Sequence, residues 1–363
     1  MNIIIYYEQF SFGGVDRHLS ELVNNWTNKK DSISIVTNKD NKGFQKIRNS
    51  LKKKIKVIYF NSYSYSYFIN FLFKNKLSFL RFATYPLQPF FLLFSINRFL
   101  YLLKKINKNS VILLYNGYSK PYDFFIDRVV SRNLTNLICV SRATLNTIKT
   151  RRNLSYQYFK TQIIHNDIKI LKKNLKKKLF VTLGKKYFLF GILGRTQAYK
   201  GHEDVLHGIS HIDPKYRDKI RLIIIGENEF PRIKYLKNLA IKLKIRKNII
   251  FTGYLTEDSQ TIINNLDCVV MATRDFEGFG YTALEAIKLG KPLITTNVGA
   301  IKEFVDPKYA EIIKPKNIEK LTTALTNVFL HYKFYQNRSN VYKKKINTRK
   351  FRMSKAYKLL FSN

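Results

Sequence analysis

Short apolar runs alternate along the chain with longer segments in which apolar residues recur every three or four positions. The short runs are typical of buried parallel strands, and the longer segments of helices that pack against a sheet. In the first half, strands are predicted at residues 2–7, 32–37, 55–60, 111–115 and 137–140, and a helix begins at Val15. A lysine-rich segment, 169–186, is predicted to be a linker with a solvated helix.

The alternation begins again after that segment. Strands are predicted at 188–193, 221–225, 248–252, 268–271 and 293–296, with helices at 203–210, 231–243, 260–266 and 282–289 and a basic helical tail from residue 316. This pattern indicates an α/β fold of two Rossmann-like, doubly wound domains facing across a cleft. We place the domains at 1–168 and 169–340, and expect a basic C-terminal helix at 341–363 that packs back on the first domain.

The net charge of the chain indicates which classes of partner it can attract. The 363 residues include 65 basic and 24 acidic side chains, a formal net charge of +41. Such a field attracts nucleic acid, anionic lipid or phosphorylated substrates, although a general compositional bias accounts for part of the excess. Cys139 and Cys268 lie in apolar runs, as expected of buried thiols in a reducing compartment. With no signal-peptide pattern at the N-terminus, the sequence predicts a cytoplasmic protein.

The segment 77–108 is rich in leucine and phenylalanine but is a poor membrane span. Its uncharged stretch between Arg81 and Arg98 holds Pro86 and Pro89 and is shorter than the roughly 20 residues that cross a bilayer. Two interpretations stay open at this point, an interfacial patch beside an anionic membrane and an ordinary core helix.

The strongest chemical motif is the run from Glu277 to Glu285, EGFGYTALE, which joins a predicted strand to a short helix. Its glycines permit close approach of backbone, and the N–H groups of Phe279, Gly280 and Tyr281, with Thr282 next in the chain, mark a helix N-terminus that attracts phosphate. The two carboxylates can accept hydrogen bonds from sugar hydroxyls. A surface loop with two solvated glutamates is the plainer alternative.

Two further motifs follow predicted strands. Arg195 and Lys200, in GRTQAYKG, come after the strand 188–193 and suit phosphate oxygens, although a chain this basic also has many ordinary exposed cations. Gly13 and Gly14 follow the first strand and precede a helix, an arrangement that lets backbone approach an anion. A lone Gly-Gly pair is more often a simple turn.

The sequence from Glu277 to Thr296 resembles family 4 of the retaining glycosyltransferases, which have the GT-B fold. The resemblance rests on the acidic residue, Gly-Phe-Gly, the Glu-Ala helix and the Gly-Lys-Pro turn. It implies that Glu277 holds the donor sugar and Glu285 the nucleotide ribose. It also implies that Arg195 and Lys200 neutralise the donor diphosphate, and that the loop of Gly13 and Gly14 contacts donor and acceptor.

The chain departs from the family pattern at the domain junction, where Asn166 and Asp167 follow His165 in place of the usual Asn-Gly. Asparagine and aspartate also adopt the left-handed conformation, so the turn can survive. A histidine that the family often carries in the first domain has no clear match. Because the chain contains no Asp-x-Asp, we expect no metal site and no cofactor, and positive side chains in place of a divalent ion.

The sequence therefore predicts a metal-independent, retaining hexosyltransferase that uses a UDP-, GDP- or ADP-sugar. The expected acceptor is a saccharide, in particular a lipid-linked intermediate of a surface polysaccharide such as lipopolysaccharide. An anionic membrane surface is the expected partner, which places the protein peripherally on the cytoplasmic face of the inner membrane. The alternatives are a sugar phosphorylase, a nucleotide-sugar epimerase, or a basic nucleic-acid-binding protein. A specific nucleic-acid partner is not expected, because no reader motif is present.

Overall fold

The computed structural model describes most of the second half of the chain and selected elements of the first. The described residues are 2–6, 14–24, 26, 32–38, 42–49, 51, 55–60, 111–115, 136–149, 160–168, 170, 178–226, 231–255 and 258–348. By its internal contacts the chain divides after Asp167, and each of the two units contains one sheet.

The first unit contains a six-stranded parallel sheet. Its strands are β1 (Asn2–Tyr6), β2 (Ser32–Asn38), β3 (Lys56–Phe60), β4 (Val111–Tyr115), β5 (Asn136–Cys139) and β6 (Lys160–Ile163). The described helices are α1 (Gly14–Asn24), α2 (Lys42–Arg48) and α3 (Arg142–Lys149). Buried Leu19 and Leu22 of α1 pack with Ile35 of β2 and Phe44 of α2, so the periodic apolar residues do form the core.

The second unit repeats this arrangement with a second six-stranded parallel sheet. Its strands are β7 (Phe188–Leu193), β8 (Ile220–Ile225), β9 (Ile249–Gly253), β10 (Cys268–Met271), β11 (Leu293–Thr296) and β12 (Glu311–Ile313). The helices are α4 (Lys178–Gly184), α5 (His202–Ser210), α6 (Pro214–Arg217), α7 (Arg232–Lys242), α8 (Ser259–Asn264), α9 (Tyr281–Leu289), α10 (Ile301–Phe304), α11 (Ile318–Leu330) and α12 (Tyr332–Thr348).

The two sheets have the same topology. The first runs β3-β2-β1-β4-β5-β6, and the second, read from its other edge, runs β9-β8-β7-β10-β11-β12. Both are the Rossmann order 3-2-1-4-5-6, in which the direction of winding reverses between the first and fourth strands. The predicted α/β, doubly wound fold is confirmed. In the second unit the reversal lies between β7 and β10, and ligands of such sheets bind beyond the carboxyl ends of the strands at this point.

Two edge strands were not predicted from the sequence. Strand β6 reads KTQI and alternates exposed with half-buried positions, and β12 has only three residues, all half-buried. Each pairs with a neighbour on one side only, because it ends its sheet. Their residues therefore lack the continuous apolar run by which the central strands are recognised.

The structure changes two details of the predicted domain limits. Helix α12 runs through residue 341, where a separate C-terminal helix was expected, so 341–348 continue the second unit and 349–363 lie outside the described residues. Within the predicted linker, α4 is indeed helical, but Phe180 is 2% exposed, so this helix is not fully solvated.

The apolar segment 77–108 lies outside the described residues, and both interpretations of it stay open. In the part of the chain that the structure does describe, every helix is too short or too polar to cross a membrane.

Candidate functional site

Two loops leave the carboxyl ends of adjacent strands at the reversal point of the second sheet. Residues 194–201 follow β7, and residues 272–280 follow β10. Because β7 and β10 are parallel neighbours, paired at Phe190 and Cys268, the two loops emerge side by side. The first loop carries Arg195 and Lys200, and the second carries Glu277, so the sequence motifs meet at the position where this fold binds ligands.

Lys200 and Glu277 form an ion pair across these loops. The Lys200 Nζ lies 2.9 Å from Glu277 Oε2, and the two side chains retain 25% and 15% of their exposure. They are therefore partly covered but within reach of a ligand. A lysine and a glutamate so placed offer three donors and a carboxylate acceptor at one point, which suits a molecule with both phosphate and hydroxyl groups.

The backbones of the two loops are in direct contact. The Arg274 N–H donates to the Tyr199 carbonyl oxygen at 2.7 Å. Gly201 has a left-handed φ of +71°, and a Cβ there would lie 1.9 Å from the Ala272 carbonyl oxygen. Glycine is thus required at this position for both its conformation and its lack of a side chain. This close approach brings Lys200, the preceding residue, against the loop of Glu277.

Gly201→Ala is expected to destabilise the protein and to separate the two loops. The left-handed backbone alone costs an alanine about 1–3 kcal/mol, and the obstructing atom belongs to backbone, which cannot turn away. Chemical denaturation should show the loss as a lower midpoint. The matched control is Gly184→Ala, where the new Cβ would make an ordinary contact of 3.7 Å with Leu189. Equal midpoints for the two variants would contradict this account of the loops.

The Gly-rich turn positions the start of α9. Gly280 precedes the helix with a left-handed φ of +92°, and its carbonyl accepts the first helical hydrogen bond, from Leu284 N at 3.1 Å. Tyr281 and Thr282 are the first two helical residues and are half-buried. The N-terminus of a helix points N–H groups and the positive end of the helix dipole outward, so this turn favours an anion.

Phe279 contributes its backbone, not its ring, to this turn. The side chain is 4% exposed and stacks on Phe304 with ring centroids 5.2 Å apart, while its edge meets Tyr281. The buried ring anchors the turn to the core. This is consistent with the sequence expectation, which concerned the N–H groups of the turn.

Glu285 lies one helical turn into α9 and is 1% exposed. Its Oε1 accepts a hydrogen bond of 2.5 Å from the Ser259 hydroxyl, at the first residue of α8. The carboxylate is thus oriented by a partner from another helix, which the sequence alone did not indicate. A buried carboxylate held in this way keeps acceptor capacity for a ligand hydroxyl.

The remaining predicted site residues are placed as follows. Arg195 follows Gly194 at the end of β7 and is half-buried. Gly14 is the exposed first residue of α1, in the first unit, and Gly13 lies outside the described residues. Within the first unit, His18 of α1 is fully buried and its Nδ1 meets the Asn166 side-chain oxygen. Burial, partly offset by this hydrogen bond, lowers the pKa of His18 to about 4.

The comparison with known families bears on the same part of the chain. Residues 172–345, which include every element of the site from β7 to α9, match the family model of glycosyl transferases group 1. The second unit is thus similar to the group 1 glycosyltransferases. The resemblance inferred from the motif beginning at Glu277 is therefore confirmed.

Curated relatives share mainly this domain. The chain is 27% identical over 176 residues to the uncharacterized glycosyltransferase MJ1607 of Methanocaldococcus jannaschii, covering 48% of this chain and 44% of that protein. It is 27% identical over 156 residues to the O-antigen chain mannosyltransferase C of Escherichia coli, covering 41% and 38%. The chain thus spans less than half the length of these relatives.

A solved structure resembles the whole chain. The crystal structure of Anabaena Alr3699/HepE in complex with UDP superposes with a TM-score of 0.75 over 100% of both chains, at 15% sequence identity. At this level of identity the likeness establishes the fold. The GT-B fold expected from the sequence is confirmed.

Sequence reasoning missed a set of charged residues near the site loops of the second unit. They are Glu203, Asp204, Arg232 and Arg274, which form ion pairs with one another around buried His202. Burial, reinforced by the charges of Arg232, Lys200 and Arg274, lowers the pKa of His202 to about 3, so the ring is neutral at pH 7. The only available signal was position, because His202 to Asp204 directly follow the Lys-Gly of the motif.

Proposed function

We propose that this chain is a retaining glycosyltransferase that moves a sugar from a nucleoside diphosphate sugar to a saccharide acceptor. The observation that carries the proposal is the Lys200–Glu277 pair, 2.9 Å apart at the reversal point of the second sheet, beside the N-terminus of α9. Cation, carboxylate and helix N-terminus are the three groups that a sugar diphosphate requires, and here they adjoin one another.

The donor is assigned to these groups by their chemistry. Lys200, Arg195 and the first N–H groups of α9 take the diphosphate, because each offers a positive donor to phosphate oxygens. Glu277 accepts hydrogen bonds from the sugar hydroxyls, and buried Glu285 accepts them from the ribose, as the family resemblance implies. The structural neighbour that carries UDP in its crystal supports a nucleotide donor of this class.

Transfer requires that charge growing on the departing diphosphate be stabilised. Lys200 is held by Glu277 before the reaction, and oriented donors of this kind contribute about 3–4 kcal/mol each to the transition state. The acceptor hydroxyl attacks on the face of the leaving group, so that the anomeric configuration is retained, as the resemblance implies. No covalent nucleophile is assigned.

The proposed acceptor is a lipid-linked saccharide of a surface polysaccharide. The net charge of +41 favours an anionic membrane surface, and one relative is an O-antigen mannosyltransferase. Flotation with liposomes containing anionic lipid is the direct test of membrane binding. Recovery of all the protein in the unfloated fraction at low salt, with anionic and neutral liposomes alike, would remove this part of the proposal.

The proposed function is tested in two steps. A thermal-shift screen against UDP, GDP and ADP sugars should raise the melting temperature with one nucleotide class, since a ligand bound only by the native state stabilises it. The selected donor, labelled in its sugar, should then yield a glycoside with the donor's anomeric configuration.

Product analysis also separates the rival enzymes. A phosphorylase would release a sugar phosphate, and an epimerase would return an isomeric nucleotide sugar. Transfer should persist in excess EDTA; loss of transfer that Mn²⁺ or Mg²⁺ restores would contradict the metal-independent mechanism. Binding to DNA that vanishes at moderate salt, with no turnover of any sugar nucleotide, would favour the nucleic-acid alternative.

A further inference from the structure

Arg274 joins the loop of Glu277 to the helix that follows Lys200. Its guanidinium donates two hydrogen bonds to Asp204 of α5, from Nε to Oδ2 at 2.9 Å and from Nη2 to Oδ1 at 2.6 Å. The Asp204 side chain retains 8% exposure and that of Arg274 22%. A two-pronged, largely covered pair of this kind fixes orientation as well as distance. These hydrogen bonds also raise the pKa of Arg274.

A second arginine, Arg232, contacts the loop that follows β7. Arg232, the first residue of α7, forms an ion pair with Glu203 and donates from Nε to the Thr196 carbonyl oxygen at 3.1 Å. Thr196 directly follows Arg195 in the loop after β7. Both loops are thus connected to α5. Arg232 connects the loop after β7 to Glu203, and Arg274 connects the loop after β10 to Asp204.

This network is electrically balanced. Two arginines face two carboxylates, since Arg274 Nη2 also lies 3.8 Å from Glu203 Oε2, and neutral His202 adds no charge. The guanidiniums are committed to fixed protein partners, so the network is suited to holding its neighbours and not to binding a diphosphate itself.

Arg274 makes contacts on both sides of Lys200 in the sequence, through its backbone and through its side chain. Its backbone N–H bonds to Tyr199, the residue before Lys200, and its side chain bonds to Asp204, four residues after Lys200. Glu277 lies three residues further along the same short loop. Displacement of Arg274 would therefore move the Glu277 carboxylate relative to Lys200.

We propose that Asp204 and Arg274 are positioning residues that hold Glu277 at its working distance from Lys200. The inference rests on the proposed function, because Glu277 and Lys200 are there the groups that bind the sugar and the diphosphate. Loss of the pair leaves both groups present but misplaced. A displacement of about 1 Å at a reacting centre can reduce the rate about 100-fold, so a fall of about 10- to 100-fold in kcat is expected for Arg274→Gln or Asp204→Asn.

The binding readout separates positioning from general destabilisation. Isothermal titration measures the affinity for the donor sugar nucleotide and for its nucleoside diphosphate alone. In the wild type the sugar adds affinity. In Arg274→Gln the affinity added by the sugar should shrink. The nucleoside diphosphate alone should bind within about threefold of wild type, because the loop of Arg195 and Lys200 and the start of α9 are unchanged. An equal loss for both ligands would indicate a merely structural role and overturn the inference.

Combination with a Glu277 variant provides the second readout. If Arg274 acts through Glu277, adding Arg274→Gln to Glu277→Gln should lower kcat by less than about threefold further, because coupled residues are not additive. Independent multiplication of the two effects would overturn the inference and assign Arg274 a role of its own. Arg274→Lys, which keeps the charge but not the fork, should recover only part of the activity.

The controls keep the inference distinct from the proposed function. Asp218→Asn removes an exposed carboxylate paired with Lys247 at 3.0 Å, before the amino end of β8 and at the opposite edge of the sheet. It should leave kcat and both affinities unchanged. Absence of transfer by the wild type with every donor would contradict the proposed function itself. If the wild type transfers sugar but the effects of Arg274→Gln and Glu277→Gln on kcat multiply independently, only the positioning role is contradicted.

Discussion

Glu277→Gln is expected to reduce kcat of sugar transfer by about 100-fold or more while the fold persists. Glutamine keeps the shape but replaces a carboxylate acceptor with a weaker amide, and it removes the partner of Lys200. The Lys200–Glu277 pair is partly exposed on both sides, so its loss should cost no more than about 1 kcal/mol of stability. Steady-state kinetics on the labelled donor, with a denaturation curve of the same sample, measure both quantities.

A second expectation concerns nucleotide affinity, because Glu277 should contact the donor sugar and not the nucleotide. Affinity for the nucleoside diphosphate should therefore stay near that of the wild type. Glu319→Gln is the matched control, because Glu319 is an exposed glutamate in the first turn of α11. Turnover by Glu277→Gln equal to that of the Glu319 control would show that this carboxylate does not contact the reacting sugar.

Lys200→Met is expected to reduce both nucleotide affinity and kcat. Methionine keeps most of the length of the lysine side chain but lacks the positive charge that attracts the diphosphate. Negative charge grows on the leaving diphosphate as the bond breaks, so the positive charge of Lys200 matters most at that stage. We therefore expect kcat to fall by about 100- to 1000-fold, the usual effect of removing one oriented donor. Titration with the nucleoside diphosphate and single-turnover transfer separate the two effects.

Lys247→Met controls for the change of charge in a protein whose net charge is already +41. Lys247 is 67% exposed and lies just before β9, so its loss should change neither quantity. Retention of wild-type diphosphate affinity and kcat by Lys200→Met would remove Lys200 from the site and, with it, the assignment of the diphosphate to this loop.

The central strands were predictable because their sequence pattern is strong. Strands β7 and β10 are continuous apolar runs of six and four residues, and β8 is apolar except for Arg221, as expected of parallel strands covered on both faces. Edge strands β6 and β12 pack on fewer neighbours and carry polar residues, so the same criterion could not find them. The end of the second unit was also missed, because a basic helix gives no sign of where one unit stops.

The sequence revealed those site residues that lie close to one another along the chain. Glu277, Gly280 and Glu285 lie within nine residues, and Arg195 and Lys200 within six, so each motif is visible as a local pattern. The Arg274–Asp204 pair joins residues 70 positions apart, and Ser259 reaches Glu285 across 26. In a chain with 65 basic residues, one further arginine carries no information until the fold shows its partner.

A crystal structure with the donor nucleotide sugar tests the central claim most directly. The account predicts the diphosphate within hydrogen-bond distance of Lys200 Nζ and of the first N–H groups of α9, with the sugar hydroxyls on the Glu277 carboxylate. The ribose should reach Glu285, and the Arg274–Asp204 hydrogen bonds should remain in place. A nucleotide bound elsewhere on the second unit, with the Lys200–Glu277 pair untouched by it, would contradict the account.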